Sequence, residues 1–387
     1  MTDSVVRRIL FSGYAPVHFI CFLPIYRRLA QDARVELWLS GGFKREQGDS
    51  VRFEVEGFYD PFPVDQRRVI PAEQAREQDF DVLVCAHLSD ALFPRSAGRT
   101  VQIFHGVSFK NLAVREKALR FDYLCLPGRY HAELYRRSGL VRPGGSRYLI
   151  TGFPKADALV SGPDDRVALL SGLGLDPARQ TLLFAPTGDK HNALETMGVE
   201  LVERLSGDGR FNLLVKPHDH PKRSRDWFSE LARFEAGSIR LVRDLDVIPY
   251  LRAADVLLTD ASSVAVEYTL LDRPIVFLDV PKLFKQVEKR APNLDLDTYG
   301  RRIGRVAATA SDVIPAIEAA LREPDAEAEL RRAMARHVFH EPGRAVDRTA
   351  SVVLHAAGVL ARLPEGVAEL VADEPRHADL PTLAGGA

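Results

Sequence analysis

The chain has 387 residues, 46% of them hydrophobic and 27% charged, a composition that excludes extensive disorder and is typical of a soluble globular protein. Because single hydrophobic cores stop growing at about 250 to 300 residues, this length predicts two domains. Lys and Arg (52) almost balance Asp and Glu (53), so no overall positive field exists to hold nucleic acid or an anionic membrane. Any anion must be bound locally.

The first apolar stretch, residues 9–25, follows two arginines and resembles a signal peptide in composition. Pro16, His18 and Pro24 interrupt it and it lacks a small-residue cleavage site, so we interpret it as a strand, a loop and a helix. No segment reaches the roughly 18 uncharged apolar residues that span a bilayer. Any membrane contact is therefore expected to be peripheral.

Short apolar runs alternate with helical segments along the whole chain, which is the pattern of parallel sheets flanked by helices. The strands predicted in the first half cover residues 9–12, 35–39, 81–86, 101–104, 123–126 and 148–151. The strands predicted in the second half, after a Gly- and Pro-containing stretch, cover residues 181–185, 211–215, 239–242, 256–259 and 275–278. Two doubly wound, Rossmann-like α/β domains follow from this alternation.

The predicted domain boundaries place an N-terminal domain at residues 1–160 and a C-terminal domain at 161–344. A helix is predicted over 345–363, and a mobile tail over 364–387, which is rich in Pro, Ala, Gly and acidic residues and lacks aromatic ones. In open parallel sheets ligands bind beyond the carboxyl ends of the strands. The residues that follow each predicted strand are therefore the candidates for a site.

Cys21, Cys85 and Cys125 are scattered through apolar stretches without a Cys-x-x-Cys spacing, which disfavours a zinc site or a redox pair and favours a reducing cytoplasm. No Asp-x-Asp pair at a strand end indicates a divalent ion. We therefore expect no metal site and no obligate cofactor.

His105 follows a predicted strand, precedes Gly106 and shares its loop with Ser108 and Lys110. A titratable imidazole, a flexible backbone and a cation in one loop favour a general base with an anion clamp. The alternative is a histidine that is hydrogen-bonded inside the core. His18, in the first strand-to-helix loop, is as well explained by packing as by contact with a substrate.

Lys216 and His218 end another predicted strand, two residues apart and thus on one face. Together they are suited to contact a diphosphate. The alternatives are a surface turn with a chance His-x-His pattern, or metal ligation by His218 and His220.

Residues 255–280 are predicted to form a buried strand, a polar turn, a short helix and a second buried strand. Ser262 and Ser263 open the helix, so its unpaired N–H groups would face a phosphate above the sheet. An ordinary serine N-cap is the alternative. Glu267 lies one residue too far from Ser263 for a reciprocal capping box, which favours a ligand contact for its carboxylate.

A basic run on a predicted helix comprises Lys110, Arg115, Lys117 and Arg120, with Glu116 the only opposing charge. Such a run is usually a solvated face. The functional alternative is that it guides an anionic polymer or a lipid headgroup toward the histidine that precedes it.

Five segments, taken in order, resemble the CDP-glycerol glycerophosphotransferase family, the teichoic-acid type primases and polymerases. Phe104 to Lys110 resembles the family's Trp-His-Gly-Thr-Pro-Leu-Lys, and Gly152 to Asp157 resembles Gly-x-Pro-Arg-x-Asp. Residues 184–187, 216–218 and 260–263 resemble Tyr-Ala-Pro-Thr, the segment ending in His-Pro, and Asp-Tyr-Ser-Ser. The resemblance runs from about residue 101 to residue 348 and implies a GT-B fold, two Rossmann-like domains facing each other across a cleft.

The resemblance also implies roles for individual residues. His105 becomes the catalytic-site histidine of the N-terminal domain, with Gly106 and Lys110 on the acceptor side. His218, in the C-terminal domain, becomes the second catalytic-site histidine and holds the phosphates of the donor. The residues expected to bind the donor, in the C-terminal domain, are Thr187, Lys216, Asp260, Ser262, Ser263 and Glu267.

The implied reaction moves glycerol phosphate, or a related polyol phosphate, from a CDP-activated donor such as CDP-glycerol to a hydroxyl of an envelope glycan or lipid-linked polymer, releasing CMP. The expected location is the cytoplasm, with peripheral contact at the inner face of the plasma membrane, and no nucleic-acid partner is expected. Departures from the family pattern at residues 107–109, 188–189, 219 and 261 leave the acceptor and the transferred alcohol open. The alternatives are a GT-B glycosyltransferase or UDP-sugar 2-epimerase, and a non-catalytic nucleotide-binding protein of the envelope pathway.

Overall fold

Two parallel sheets, each flanked by helices, carry the fold. The computed structural model of the protein describes residues 5–47, 50–163, 165–218, 225–296 and 298–370. The predicted α/β architecture of two doubly wound domains is confirmed.

The N-terminal sheet has the strand order β15-β8-β7-β6-β5-β1-β2, and all of its neighbours pair in parallel except β15. Its strands and an adjoining antiparallel hairpin are β1 (Arg7–Gly13), β2 (Val35–Gly41), β3 (Phe43–Gln47), β4 (Ser50–Glu54), β5 (Asp79–Cys85), β6 (Ser96–Gln102), β7 (Tyr123–Leu126) and β8 (Arg147–Ile150). Its helices are α1 (Pro16–Leu29), α2 (Ala72–Arg76), α3 (Arg129–Arg137) and α4 (Pro154–Ser161).

The C-terminal sheet is parallel throughout, with the order β11-β10-β9-β12-β13-β14. Its strands are β9 (Thr181–Phe184), β10 (Asn212–Val215), β11 (Ile239–Leu241), β12 (Val256–Thr259), β13 (Ile275–Leu278) and β14 (Arg305–Ala307). Its helices are α5 (Arg166–Gly172), α6 (Val199–Asp208), α7 (Trp227–Leu231), α8 (Ile248–Ala253), α9 (Ser263–Tyr268), α10 (Pro281–Glu288) and α11 (Val313–Arg322).

The end of the described chain crosses back to the N-terminal domain. After α12 (Ala328–Val338), α13 (Ala345–Ala356) packs against α1 and α4, and β15 (Ala368–Leu370) pairs antiparallel with β8. The mobile tail predicted from residue 364 is therefore wrong at its start, because three of its residues form an edge strand. Residues 371–387 of that tail lie outside the described residues.

Complete burial explains why the C-terminal strands are so short and so apolar. β9, β10, β12 and β13 each have four residues, and all of them are buried. A parallel sheet covered by helices on both faces requires such continuous apolar runs. The strong signal in these four runs made their prediction reliable.

The helical segment that precedes β10 begins with a wide turn. Residues Leu194–Gly198 form a π-helical turn, and α6 follows directly. A Cβ at Gly198 would lie 2.6 Å from Leu194 Cδ1, so only glycine fits this wide turn without displacing the leucine. π-helical turns are rare and are frequent at functional sites.

The two domains contact each other along the edges where their strands end. The backbone N–H of Asp295 donates to the carbonyl of Phe109 at 2.9 Å, and Asn111 Nδ2 donates to the carbonyl of Asn293 at 2.9 Å. Tyr130 adds a hydroxyl hydrogen bond to the Asp295 carboxylate at 3.0 Å. These bonds hold the loop after β6 against the segment after α10.

Candidate active site

His105 lies at the carboxyl end of β6 with a defined tautomer. Its Nδ1 donates to the carbonyl oxygen of Ala86 at 2.6 Å, so Nε2 carries the lone pair. Desolvation by surrounding protein atoms lowers the pKa of His105, the Ala86 hydrogen bond opposes this, and the charge of Lys155 lowers it further. A neutral imidazole with a free lone pair is the form that a general base needs near pH 7.

Two more histidines surround His105. The His18 ring lies 4.9 Å from the His105 ring and 5.6 Å from the His87 ring, centroid to centroid, with Tyr14 packed edge-on against His18 at 4.7 Å. Burial lowers the pKa of His87 to about 3 and holds that of His18 well below its usual range. The cluster is therefore uncharged at neutral pH.

Backbone contacts fix both of these rings. His18 Nδ1 accepts from the Tyr14 N–H at 3.2 Å, and His87 Nδ1 accepts from the Ser89 N–H at 3.1 Å. Each neutral ring therefore carries its proton on Nε2 and presents a donor. Within the described parts of the chain, no group of three or more His, Cys, Asp or Glu residues could hold a metal ion.

The loop that carries His105 touches the C-terminal domain at the start of α9. A Cβ built on Gly106 would lie 3.3 Å from Ser263 Oγ, so glycine allows the two domains to approach closely here. Ser262 occupies the N-cap position, but its side chain makes no capping hydrogen bond. Because α9 has only six residues, its dipole is weak. Its unpaired N-terminal N–H groups are therefore the main source of positive potential at this end of the helix.

Lys110 crosses between the domains rather than facing solvent. Its Nζ donates to Thr187 Oγ1 at 3.0 Å and to Asp189 Oδ2 at 2.8 Å. Arg290 also donates to the Asp189 carboxylate. Although burial opposes ionisation, Lys110 and Arg290 together lower the pKa of Asp189 to about 2. The cation predicted for the acceptor side is thus already paired with a carboxylate of the donor domain.

Asp260 shapes the loop that carries Thr187. Its Oδ1 accepts from the Thr187 N–H and its Oδ2 accepts from the Ala193 N–H, each at 2.8 Å. The side chain is 1% exposed, and burial raises its pKa against these two hydrogen bonds. Because both of its oxygens accept from backbone N–H groups, Asp260 fixes the position of Thr187.

Lys216 and His218 lie beyond β10 and differ in exposure. Lys216 is buried, and its Nζ donates to the carbonyl of Asp244 at 2.5 Å. His218 is exposed and is the last residue described before residue 225. His220, the partner in the alternative metal site, lies outside the described residues.

A buried ion pair that sequence reasoning missed joins the two domains. Lys155 Nζ donates to Glu267 Oε2 at 2.8 Å, and the side chains are 7% and 0% exposed. Burial opposes a charged Lys155, but Glu267 outweighs it and raises the lysine pKa. Glu267 Oε1 is fully buried and has no hydrogen-bond partner within the described residues. The available signal was Lys155 at the arginine position of the Gly-x-Pro-Arg-x-Asp pattern.

The basic run is divided between structural and exposed residues. Lys110 belongs to the interdomain contact, and Arg120 lies over the Phe93 ring at 4.2 Å. Arg115 and Lys117 are exposed. No helix of the described chain has the length and apolar character needed to cross a membrane.

The structure thus brings five of the predicted residues into one connected set: His105, Gly106, Lys110, Thr187 and Ser263. Two facing Rossmann-like domains with a histidine loop on one edge and a serine-headed helix on the other define a GT-B type of protein. Solved structures share this architecture. A structure of the wall teichoic acid polymerase TagF soaked with CDPG superposes with a TM-score of 0.65 at 18% identity, over 92% of this chain and 91% of that one.

Another neighbour is a putative UDP-N-acetylglucosamine 2-epimerase from Listeria monocytogenes. It superposes with a TM-score of 0.57 at 13% identity, over 92% of this chain and 98% of that one. At such identities these likenesses establish the fold alone.

The family is defined by sequence. The profile of the CDP-glycerol:poly(glycerophosphate) glycerophosphotransferases matches residues 82–355, and the chain belongs to this family. It is 30% identical to the teichoic acid glycerol-phosphate primase of Bacillus spizizenii over 160 residues, which are 41% of this chain and 40% of the primase. It is 27% identical to the teichoic acid poly(glycerol phosphate) polymerase of Staphylococcus epidermidis over 217 residues, 48% of this chain and 29% of the polymerase. The chain thus spans less than half the length of both of these curated relatives.

Proposed function

We propose that the protein transfers glycerol phosphate, or a closely related polyol phosphate, from a CDP-activated donor to a hydroxyl of an envelope polymer or lipid-linked acceptor, with release of CMP. The observation that carries this function is the neutral His105, whose Nδ1 is bonded to Ala86 and whose loop contacts Ser263. The family membership and the names of the curated relatives support the donor and the polymer.

His105 acts as the general base in this proposal. The acceptor oxygen forms a bond to the phosphorus that bears glycerol, while the bond from that phosphorus to the oxygen of CMP breaks. The acceptor proton moves to His105 Nε2, and CMP leaves with the negative charge. General-base assistance of this kind typically contributes roughly 10²- to 10⁴-fold in rate.

The donor phosphates are held by the C-terminal domain. The first N–H groups of α9 at Ser262 and Ser263, the hydroxyl of Thr187, and the side chains of Lys216 and His218 supply donors where charge develops on the leaving group. Thr187 is placed by Asp260. Glu267 was expected to bind the donor, but its carboxylate is fully buried and bonded to Lys155, so its role in this proposal is to hold the two domains together.

The reaction is proposed to take place at the inner face of the plasma membrane, which the protein contacts peripherally. It is also proposed to need no metal ion. Chelation of metal ions with EDTA should therefore change the turnover rate by less than twofold, which corresponds to about 0.4 kcal/mol in activation free energy. Loss of turnover that magnesium restores would contradict this part of the proposal.

Donor choice tests the function. The purified protein is incubated with a glycerol phosphate acceptor and, in separate reactions, with CDP-glycerol, CDP-ribitol and UDP-sugars, and free CMP and UDP are measured. Release of CMP from a CDP-polyol, dependent on the acceptor, is expected. Release of UDP, or epimerisation of a UDP-sugar with no reaction of CDP-polyols, would overturn the proposal in favour of the alternatives that share this fold.

A further inference from the structure

The carboxyl edge of the C-terminal sheet holds a second feature, separate from the residues assigned above. An open cavity of about 730 Å³ lies between the loop after β9, the start of α10 and the residue after β14. Lys190 and His191 border it on one side, Lys282 on another, and Arg225 lies on its rim. His191 has a left-handed backbone, with φ of 61°, and the π-helical turn supplies Thr196 and Met197 to the wall.

Of the two carboxylates that line this cavity, only Asp279 is neutralised by a cation, while Glu195 is bonded to a backbone N–H. Asp279 accepts from Arg301, and Glu195 Oε2 accepts from the His191 N–H at 2.5 Å. Arg225 pairs with Glu230. Lys190 and Lys282, by contrast, form no ion pair with any described residue. Lys190 and Lys282 outnumber the one carboxylate that is not neutralised, Glu195, so the cavity carries a net positive charge in a protein whose formal net charge is −1.

α10 extends this charge away from the cavity. Lys282, Lys285 and Lys289 are exposed, and their spacing of three and four residues places them on one face of a helix. The opposite face is buried through Leu283, Phe284 and Val287. We name Lys190, Lys282, Lys285 and Lys289 the basic ridge. Glu288 is the only acidic residue within α10, and the structure gives it no ion pair with these lysines.

The basic ridge is linked by bonds to the proposed active site. Lys190 directly follows Asp189, whose carboxylate binds both Arg290, at the end of the ridge, and Lys110. Lys110 in turn donates to Thr187. The C-terminal end of α10 therefore lies beside the cluster that joins the two domains.

We propose that the basic ridge and its cavity bind the phosphodiester chain of the acceptor, holding several of its phosphates while its terminal hydroxyl is delivered to His105. This inference rests on the proposed function. Lysines are suited to it because an ammonium is a mobile point charge that tolerates the changing geometry of a flexible polyphosphate. It follows that the preferred acceptor carries several phosphates rather than one.

The shape of the surface favours a polymer over an anionic membrane. The basic ridge borders a cavity, whereas a bilayer presents a flat face. Among the described residues, the exposed large hydrophobic side chains are elsewhere, and none lies on α10. A peripheral membrane site combines basic residues with apolar ones that insert below the headgroups.

The test uses the full chain and a variant with Lys282→Glu, Lys285→Glu and Lys289→Glu, which leaves Lys190 and the Asp189 cluster intact. Arg322→Glu is the matched control, an exposed cation at the end of α11 in the same domain. The affinity for a fluorescent glycerol phosphate oligomer is measured over a range of salt concentrations, with CDP-glycerol affinity and thermal unfolding alongside. The triple variant should bind the oligomer about tenfold more weakly or worse, with a shallower dependence on salt.

A second measurement compares acceptors of different length. The ratio of turnover with the oligomer to turnover with glycerol phosphate alone should fall in the triple variant and stay at the wild-type value in Arg322→Glu. Unchanged oligomer affinity, or an equal loss in the control, would overturn the proposal. Retained oligomer binding with lost binding to phosphatidylglycerol vesicles would also overturn it and assign the ridge to a membrane. Failure of the proposed function has a different signature, because the wild-type protein would then release no CMP with any acceptor.

Discussion

The two edges of the cleft differ in how they use charge. On the N-terminal edge, His18, His87 and His105 are packed together, and desolvation by the surrounding protein lowers the pKa of all three, of which only His105 is exposed to solvent. On the C-terminal edge, Lys216 is buried against a carbonyl and Asp189 is ionised between Lys110 and Arg290. One edge holds neutral imidazoles, and the other holds fixed charges.

This contrast agrees with the chemistry that we propose for each edge. A base must be uncharged before it accepts a proton, and desolvation achieves this for an imidazole. Phosphates need permanent donors and cations that do not titrate in the working range. In the proposed reaction, the N-terminal edge supplies the base and the C-terminal edge supplies the fixed donors.

The largest effect is expected from removing the base. His105→Ala should lower the turnover number by about 10²- to 10⁴-fold while CDP-glycerol affinity stays within a few fold, since the imidazole acts on the acceptor proton. Single-turnover release of CMP and calorimetric titration of the donor measure the two quantities. His340→Ala, which removes a histidine bonded to the carbonyl of Gly366 far along the chain, is the control. Wild-type turnover in His105→Ala would eliminate the assignment.

The buried pair between the edges should dominate stability. Lys155→Met leaves the Glu267 carboxylate buried without its partner, which typically costs about 3 to 5 kcal/mol of unfolding free energy. Lys155→Met combined with Glu267→Gln removes both charges and should cost less than the single change. Urea unfolding of both variants checks this order. A single variant as stable as the double variant would show that the two side chains are not coupled.

Turnover should be sensitive to one added methyl group where the two edges of the cleft approach each other. Gly106→Ala places a Cβ 3.3 Å from Ser263 Oγ, so the loop or the serine must move by a few tenths of an ångström. Because catalysis depends steeply on the position of the reacting groups, we expect turnover to fall by about tenfold. Adding Ser263→Gly should not restore full activity if the serine contacts the donor. Complete restoration would limit Ser263 to a packing role.

The smallest effect concerns acid stability at the fixed-charge edge. The pKa of Asp189 is lowered to about 2 in the folded protein, so its ionised form stabilises the fold above the unfolded-state value and this contribution is lost as the pH falls toward 2. The contribution is about 2 kcal/mol by the usual conversion of a pKa shift. Asp189→Asn should therefore lose less stability than the wild-type protein between pH 5 and pH 2, on the order of that value. The stability of both proteins is measured as a function of pH over this range. Curves with the same slope would contradict a stabilising ion pair at Asp189.

The sequence predicted most of the fold because its central strands are fully buried. β9, β12 and β13 are continuous apolar runs, which a parallel sheet demands. The hairpin of β3 and β4 and the edge strand β15 were missed, because β3 is rich in charged residues and β15 has three residues with one buried. Edge strands bury little apolar surface, so their sequences show little hydrophobic pattern.

Site residues at the ends of strands could be predicted from the sequence. Contacts between side chains that are far apart in the sequence could not. His105, Gly106 and Ser263 follow or open regular elements, and their approach agrees with the predicted cleft. Lys155 and Glu267 are 112 positions apart, and no local pattern indicates that they form a pair. Lys110 was interpreted as an acceptor-side cation for the same reason, since its partner Asp189 lies 79 positions further on.

The dependence of CMP release on pH, measured at saturating donor for the wild-type protein and for His105→Ala, tests the central claim most directly. Because burial and Lys155 lower the pKa of His105, the wild-type rate should rise through a single acidic limb centred below the ordinary histidine value of about 6.5 and then remain level. His105→Ala should lose this limb along with most of its rate. A variant that keeps the same limb, centred at the same pH, would show that another group takes the acceptor proton.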